Sequence, residues 1–170
     1  MKKDKTLSTI KRTVILFIII LILSGITAFP LQTELNFLVN IFDINQNNGL
    51  IYVWLVDVNS AINDINLKYP FVFYGTDWLA FAHIVISIFF IGVYKEPVKN
   101  VWITKTGIIS CLLIFPLAFI AGYVRGIPLF WQLIDCSFGA FGLIPLLFIY
   151  HWTKQLENNN PNNLPKLRAI

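Results

Sequence analysis

The sequence predicts an all-α protein, a bundle of four transmembrane helices with an extracytoplasmic amphipathic helical loop. Two observations favour this fold class. Hydrophobic residues make up 56% of the 170 residues and charged residues only 13%, about half the charged fraction of a soluble domain. Four apolar runs alternate with more polar segments, and each run is close to or above the roughly 17 residues that a membrane span needs.

We predict one membrane domain over residues 1–157, with spans at about 13–31, 78–94, 106–124 and 130–152. The first span follows the basic segment MKKDKTLSTIKR. A basic start before an apolar run resembles a signal peptide, but Ser24 to Pro30 offers no clean cleavage site. We therefore expect this segment to be kept as the first span.

Residues 32–76 form the predicted outward loop. Apolar residues recur there at three- and four-residue spacing on both sides of NQNNG, residues 45–49, which is a turn signal. We expect two amphipathic helices that lie on the bilayer surface or cap the bundle. The Asn- and Pro-rich residues 158–170 are predicted to be a disordered cytoplasmic tail.

Two local patterns give more specific expectations. Thr76 or Asp77 is placed to N-cap the second span, because each side chain offers an oxygen to an unpaired backbone N–H. Ala118, Gly122 and Gly126 repeat at four-residue spacing, a pattern of small residues that lets another helix approach closely.

The distribution of basic residues predicts the topology. The N-terminal segment carries five Lys and Arg residues, the connection 95–105 three and the residues after the last span three, whereas Lys68 and Arg125 are the two on the other side. The positive-inside rule therefore predicts a multi-pass protein of the bacterial inner membrane with both termini in the cytoplasm. The expected partners are the lipid bilayer and either another membrane protein or a second copy of the chain. Nucleic-acid binding is not expected, since the net charge of +4 is spread over separate segments.

No cofactor or metal site is predicted. His83 falls near the outer end of its span and His151 near the cytoplasmic end of another, about 20 Å apart in depth at 1.5 Å per residue. One haem cannot use both. Cys111 and Cys136 form no C-x-x-C motif and lie near opposite membrane surfaces, too far apart for a disulfide.

Four ionisable residues are the candidates for a polar site: Asp77, His83, Arg125 and Asp135. All map to the outer third of the bilayer or its edge, with Tyr74, Tyr123 and Gln132 at similar depth. An ionised carboxylate inside an apolar span is costly unless it is paired or protonated. Asp135 is therefore the most informative of the four.

Two interpretations of this cluster remain open. Arg125 and Asp135 could pair only to close the hairpin between the third and fourth spans. Alternatively they could line a polar pocket in which Arg125 holds an anionic group and His83 or Asp77 accepts a proton. For His83 the simpler expectation is a hydrogen bond to another span, and for Asp77 a helix cap. No residue is assigned a catalytic role.

Two stretches, YGTDWLAFAH (74–83) and RGIPLFWQLIDCSFG (125–139), resemble segments of small four-span bacterial integral membrane proteins to which no activity is assigned. The resemblance implies a four-span membrane protein. A second similarity, to VanZ-like proteins, rests on an Asp/His-bearing span and an Arg…Asp…Gly hairpin. Here Asp77 and His83 are more widely spaced than in that pattern, and the third span lacks its acidic residue and glutamine.

Three functions are compatible with these patterns. The first is a binding or transport-type membrane protein with a polar site near the outer leaflet, for a lipid headgroup or a small anion. The second is a non-catalytic accessory subunit that docks on a larger membrane partner. The third is an envelope enzyme that acts on a lipid-linked substrate through His83 and Asp135.

Overall fold

The computed structural model describes residues 2–44 and 49–158, with side chains for residues 4–41 and 49–158. Of the described residues 92% are helical and none is in a strand, so the predicted all-α fold is confirmed. The helices are α1 (Lys2–Ala28), α2 (Leu31–Ile44), α3 (Leu50–Lys68), α4 (Tyr74–Lys95), α5 (Val101–Arg125) and α6 (Leu129–Asn158), and a 3₁₀ turn (Pro70–Phe73) precedes α4. The predicted disordered tail beyond residue 158 and most of the turn sequence at 45–49 lie outside the described residues.

Four helical segments are long and apolar enough to cross a membrane, namely Asp4–Ala28, Pro70–Lys95, Val101–Arg125 and Leu129–Asn158. The chain is therefore a multi-pass membrane protein. Their outer faces carry large exposed apolar side chains, such as Leu117 on α5 and Phe141 on α6. Such faces suit contact with lipid, where the backbone of each span is satisfied by its own helix.

The helices run past the predicted span ends. The first begins at Lys2 rather than near residue 13, and the last continues to Asn158 rather than ending near residue 152. The polar residues at these helix ends remain helical, because their backbone N–H and C=O groups still need hydrogen-bond partners. At the other end of α1 the turn at Phe29 and Pro30 comes earlier than predicted, since proline has no N–H to continue the helix.

Contacts divide the chain into two compact units. Described residues 2–19 and 88–158 form the first unit, and residues 20–44 and 49–87 form the second. In the first unit α1 packs on α4 through Phe17 and Phe90, whose rings meet edge to face with centroids 4.8 Å apart. Ile10, Val14 and Phe17 follow one another at four- and three-residue spacing and so share one face of α1, where Ile10 and Val14 are fully buried.

The hairpin of α5 and α6 is the other part of the first unit. The helices touch at Gly139, where an added Cβ would lie 2.8 Å from the backbone oxygen of Cys111. Glycine is therefore needed for this backbone approach. The buried residues of α6 recur at three-, four- and seven-residue spacing: Gln132, Cys136, Gly139, Leu146, Ile149, Thr153 and Leu156.

The connection between α4 and α5 is shorter than the predicted 95–105 segment, because α5 already begins at Val101. Asn100 closes the end of α4, where its Nδ2 donates to the carbonyl oxygens of Gly92 at 2.9 Å and Glu96 at 3.1 Å. Each of these oxygens also accepts a backbone N–H, from Glu96 and Asn100 respectively at 3.0 Å, so the amide gives each a second donor.

In the second unit α2 and α3 are joined by a cluster of side-chain amides. Gln32 Nε2 donates to Asn63 Oδ1 at 2.5 Å, and Asn66 Nδ2 donates to Gln32 Oε1 at 2.6 Å. Asn63 Nδ2 also lies 3.4 Å from Asn36 Oδ1. The polar faces of the two helices thus meet each other.

Candidate functional site

The turn between α5 and α6 is three residues long, and its backbone positions the predicted site residues Arg125 and Asp135. Gly126 takes the left-handed conformation (φ 67°), which glycine adopts without strain. Ile127 N donates to Gly122 O at 2.9 Å and Gly126 N to Tyr123 O at 3.3 Å. These two bonds make a Schellman motif, which ends α5 and satisfies its last carbonyls.

Gln132 holds this turn from the side of α6. Its Nε2 donates to the carbonyl oxygen of Ile127 at 2.7 Å, and the side chain is buried. A Cβ on Gly122 would lie only 2.5 Å from Cδ of Gln132. Gly122 therefore provides the space into which the glutamine packs. The expected row of Ala118, Gly122 and Gly126 is not a free surface, because Gly122 lies beneath Gln132 and Gly126 forms the turn.

Arg125 and Asp135 do not form the pair that was one of the two interpretations. Among the side chains of residues 4–41 and 49–158, no ion pair within 4.0 Å involves either Arg125 or Asp135. Arg125 is exposed in the last turn of α5, where a cation interacts favourably with the helix dipole. The hairpin is closed by a neutral amide instead of by two charges.

Asp135 is half-buried in the second turn of α6. It lies six residues from the helix start, about 9 Å along the axis at 1.5 Å per residue. Across the part of the chain that the structure describes, its carboxylate accepts no hydrogen bond and makes no ion pair. An acidic group with no partner therefore lies on a membrane-spanning helix.

Asp77 is not a helix cap, because α4 begins three residues earlier, at Tyr74. Thr76 does not cap the helix either, since its hydroxyl donates back to Phe73 O at 2.7 Å. Asp77 instead lies in the first turn, where a negative charge interacts favourably with the helix dipole. Within the described segments it has no hydrogen bond or ion pair.

His83 makes its hydrogen bond within α4, not with another span as expected. Its Nδ1 lies 2.9 Å from the carbonyl oxygen of Leu79. A carbonyl oxygen can only accept, so Nδ1 is the donor of this bond. Next to the histidine, an added Cβ on Gly25 would lie 3.1 Å from His83 Cβ and 2.8 Å from Ala80 O. Gly25 therefore allows α1 to approach α4 at this point.

The four predicted site residues are thus divided between the units, with Asp77 and His83 in the second and Arg125 and Asp135 in the first. Neither Asp77 nor Asp135 has a hydrogen-bond or ion-pair partner among the described side chains. Among those residues no group of three or more His, Cys, Asp or Glu side chains could hold a metal ion.

Two clefts contain further polar residues. One, of about 390 Å³, is lined by Asp4, Leu7, Ser8, Lys11, Arg12, Ile15 and Tyr94. There the Lys11 ammonium lies 5.2 Å from the centre of the Tyr94 ring, within the range of a cation–π contact. The other cleft contains Asp77 and is lined by Phe29, Tyr74, Asp77, Trp78 and Phe81.

Sequence reasoning missed the structural role of Gln132, although it named this residue among those near the four site candidates. The signal that could have found it is its position four residues after Pro128, directly beyond the turn. Comparison of the chain with protein-family models, with curated proteins and with solved structures found no match.

Proposed function

We propose that this chain is a binding or transport-type protein of the bacterial inner membrane, with a polar site near the outer leaflet that contains Asp135. The orientation rests on the positive-inside rule, since eleven Lys and Arg residues fall on the side of the termini and two on the other. This orientation puts the turn between α5 and α6, and therefore Asp135, on the outer side.

One observation carries the proposal, the absence of a partner for Asp135 in the described residues. Placing an aspartate at the centre of a membrane helix costs about 3 kcal/mol, and less nearer the interface. A cationic or hydrogen-bond-donating group from outside the chain would offset that cost. Asp135 is half-buried and not enclosed, so such a group can reach it from the membrane side.

Arg125 supports the same proposal from the membrane edge. The side chain is exposed and has no ion pair in the described part of the chain. A guanidinium group suits the forked recognition of phosphate or carboxylate. A lipid headgroup would supply both a donor for Asp135 and an anionic part for Arg125.

The two alternative functions have less support. A free row of small residues would favour an accessory subunit, but Gly122 packs under Gln132 and Gly126 forms the turn. For an envelope enzyme, the bond from His83 Nδ1 to Leu79 O orients the ring but does not link it to Asp135. The accessory subunit is one outcome of the test below.

The test compares the wild type with Asp135→Asn after purification in a mild maltoside detergent. Native mass spectrometry then counts retained lipids and proteins. We expect the wild type to retain a lipid that the variant loses. Asp57→Asn, a change at an exposed acid of α3, is the control and should leave retention unchanged.

Two other results would change the conclusion. Equal lipid retention by Asp135→Asn and the wild type would overturn the proposed role of Asp135. Loss of a protein bound at fixed stoichiometry, instead of a lipid, would identify the chain as an accessory subunit.

A further inference from the structure

The cleft between α1 and the end of α4 brings two cations together with apolar side chains. Lys11, Arg12, Leu7 and Ile15 line it from α1, and Tyr94 lines it from α4. All of these residues belong to the first unit. The volume of about 390 Å³ falls within the roughly 300–1,000 Å³ that is typical of pockets for small ligands.

The residues that α1 contributes to the cleft share one face of the helix. Ser8, Lys11, Arg12 and Ile15 recur at three- and four-residue spacing. Ile15 lies in the apolar run, about 6 Å beyond Lys11 along the axis, and Asp4 lies about 10 Å away in the other direction, at 1.5 Å per residue. The face therefore changes from charged to apolar toward the membrane interior.

Lys11 and Arg12 keep their positive charges in this cleft. Neither forms an ion pair within 4.0 Å among the side chains of residues 4–41 and 49–158. By contrast, Lys99 and Lys154 each pair at 2.6 Å with a glutamate three residues away. The Lys11 ammonium lies 5.2 Å from the centre of the Tyr94 ring. A ring attracts an ammonium group without cancelling its charge, so both cations remain available to an anion.

Ser8 adds a neutral hydrogen-bond donor to the cleft. The neighbouring hydroxyls of Thr9 and Thr13 donate to carbonyl oxygens one turn earlier in α1, at 3.0 and 3.1 Å. The Ser8 hydroxyl makes no hydrogen bond among the described residues, and it lines the cleft. Two cations and a hydroxyl are donors that suit the oxygens of a phosphate group.

Neither of the ordinary explanations for basic residues accounts for the whole arrangement. The positive-inside rule explains why Lys and Arg lie on this side of the membrane, but it requires neither a cleft nor a lysine packed on a ring. Lysine stems commonly lie on apolar surface with the ammonium in water. Lys11 is half-buried, and its ammonium lies against Tyr94.

We propose that this cleft binds the phosphate group of an anionic phospholipid, such as phosphatidylglycerol. The phosphate contacts Lys11, Arg12 and Ser8, and an acyl chain lies along Ile15. Clusters of basic residues at the ends of membrane helices attract anionic lipids, and the change from charged to apolar along α1 matches a phospholipid from headgroup to chain. Because successive spans alternate in direction, this site lies at the membrane surface opposite to Asp135 and goes beyond the proposed function.

The first experiment titrates the full chain in maltoside micelles with phosphatidylglycerol and with phosphatidylcholine of the same acyl chains. Native mass spectrometry measures the fraction of protein with bound lipid. We expect the first phosphatidylglycerol to bind about fivefold or more tightly than phosphatidylcholine, because one basic residue near an anionic headgroup contributes about that factor. Equal affinities for the two lipids would overturn the proposal.

Variants assign the binding to this cleft. Lys11→Gln and Arg12→Gln each remove one charge, and each should weaken phosphatidylglycerol binding by about fivefold. Lys11→Arg keeps the charge and should retain most of the affinity, which separates loss of the charge from loss of the fold. Wild-type affinity in both glutamine variants would overturn the proposal.

Lys105 provides a matched control for Lys11. Its ammonium lies 6.0 Å from the centre of the Tyr150 ring, and it has no ion pair among the described side chains. Lys105→Gln removes the same charge from the same side of the membrane, outside the cleft, and should bind phosphatidylglycerol like the wild type. Equal losses in Lys105→Gln and Lys11→Gln would show that only the overall positive charge attracts the lipid, and would overturn the proposed site. Since Arg125 and Asp135 are unchanged in all these variants, failure here and failure of the proposed function are distinguishable.

Glycerol 3-phosphate distinguishes a lipid from a soluble phosphate ester, because it carries a phosphate group without acyl chains. We expect a concentration equal to that of the lipid to leave phosphatidylglycerol binding unchanged, since the soluble compound lacks the apolar contacts along Ile15. Displacement of the lipid under these conditions would assign the cleft to a soluble phosphate ester and overturn its assignment to a phospholipid.

Discussion

Gln132 is the buried polar side chain on which the turn between α5 and α6 depends. Its amide donates to the carbonyl oxygen of Ile127, and Gly122 leaves it the space to do so. A neutral amide is cheaper to bury than an ion pair, whose desolvation can exceed its attraction. The charge of Asp135 is therefore not needed to close the hairpin.

Replacing Gln132 by leucine tests this role. The variant replaces the amide with an apolar side chain of similar size and leaves the carbonyl of Ile127 without its donor. This loss should lower the free energy of unfolding by about 1–3 kcal/mol. Unfolding of the purified protein by dodecyl sulfate, followed by circular dichroism, measures the change.

Gln155→Leu is the control for that measurement, since Gln155 is exposed on the same helix and bonds only His151 among the described residues. Its effect should stay within about 0.5 kcal/mol, as for most surface substitutions. Equal effects of the two variants would show that Gln132 has no special role in the hairpin.

The sequence identified Asp135 but not Gln132, and the reason is physical. A charge in an apolar run is visible from composition alone, because its transfer into hydrocarbon is costly. The partner of Gln132 is a backbone carbonyl, and every residue has one. Which carbonyl is available depends on the Schellman turn at Gly126, and thus on geometry.

At the scale of whole elements, hydropathy predicted all four spans but not where the helices end. Apolar runs mark the part of a helix that lies in hydrocarbon. Helices α1 and α6 extend beyond their apolar runs, because their backbone hydrogen bonds continue there. The same limit applies to Asp77, which the sequence placed as a cap because the turn Pro70–Phe73 was not foreseen. The pairing of Gln32 with Asn63 also required knowing how α2 meets α3.

The contact of α5 with α6 at Gly139 gives a prediction for these elements. Gly139→Val would place side-chain atoms against the backbone of Cys111 and push the helices apart, at a cost of about 1–3 kcal/mol typical of overpacking. Ala140 is the adjacent residue and is exposed. Ala140→Val should therefore be nearly neutral in the same dodecyl sulfate titration, and equal losses would contradict the close helix contact.

At the scale of the whole molecule the proposed orientation can be tested with single cysteines. The starting variant carries Cys111→Ser and Cys136→Ser, since both native cysteines are free. When Lys68→Cys is added to this cysteine-free variant, the new thiol should react with a membrane-impermeant maleimide applied outside spheroplasts. Lys99→Cys should react only after lysis, because it falls on the strongly basic side.

Both positions are exposed in the structure, so reactivity reports sidedness and not burial. Labelling of Lys99→Cys from outside, with protection of Lys68→Cys, would reverse the proposed orientation. The proposed site of Asp135 would then face the cytoplasmic leaflet.

The three-residue turn between α5 and α6 also has a consequence for how the protein is made. Contacts between residues close in sequence form early, since little chain entropy is lost in closing a short loop. Gln132 reaches Ile127 and Gly122 as soon as the first turn of α6 exists. The two spans can therefore leave the insertion machinery as a preformed pair, so that Asp135 enters the lipid beside α5 instead of on a solitary helix.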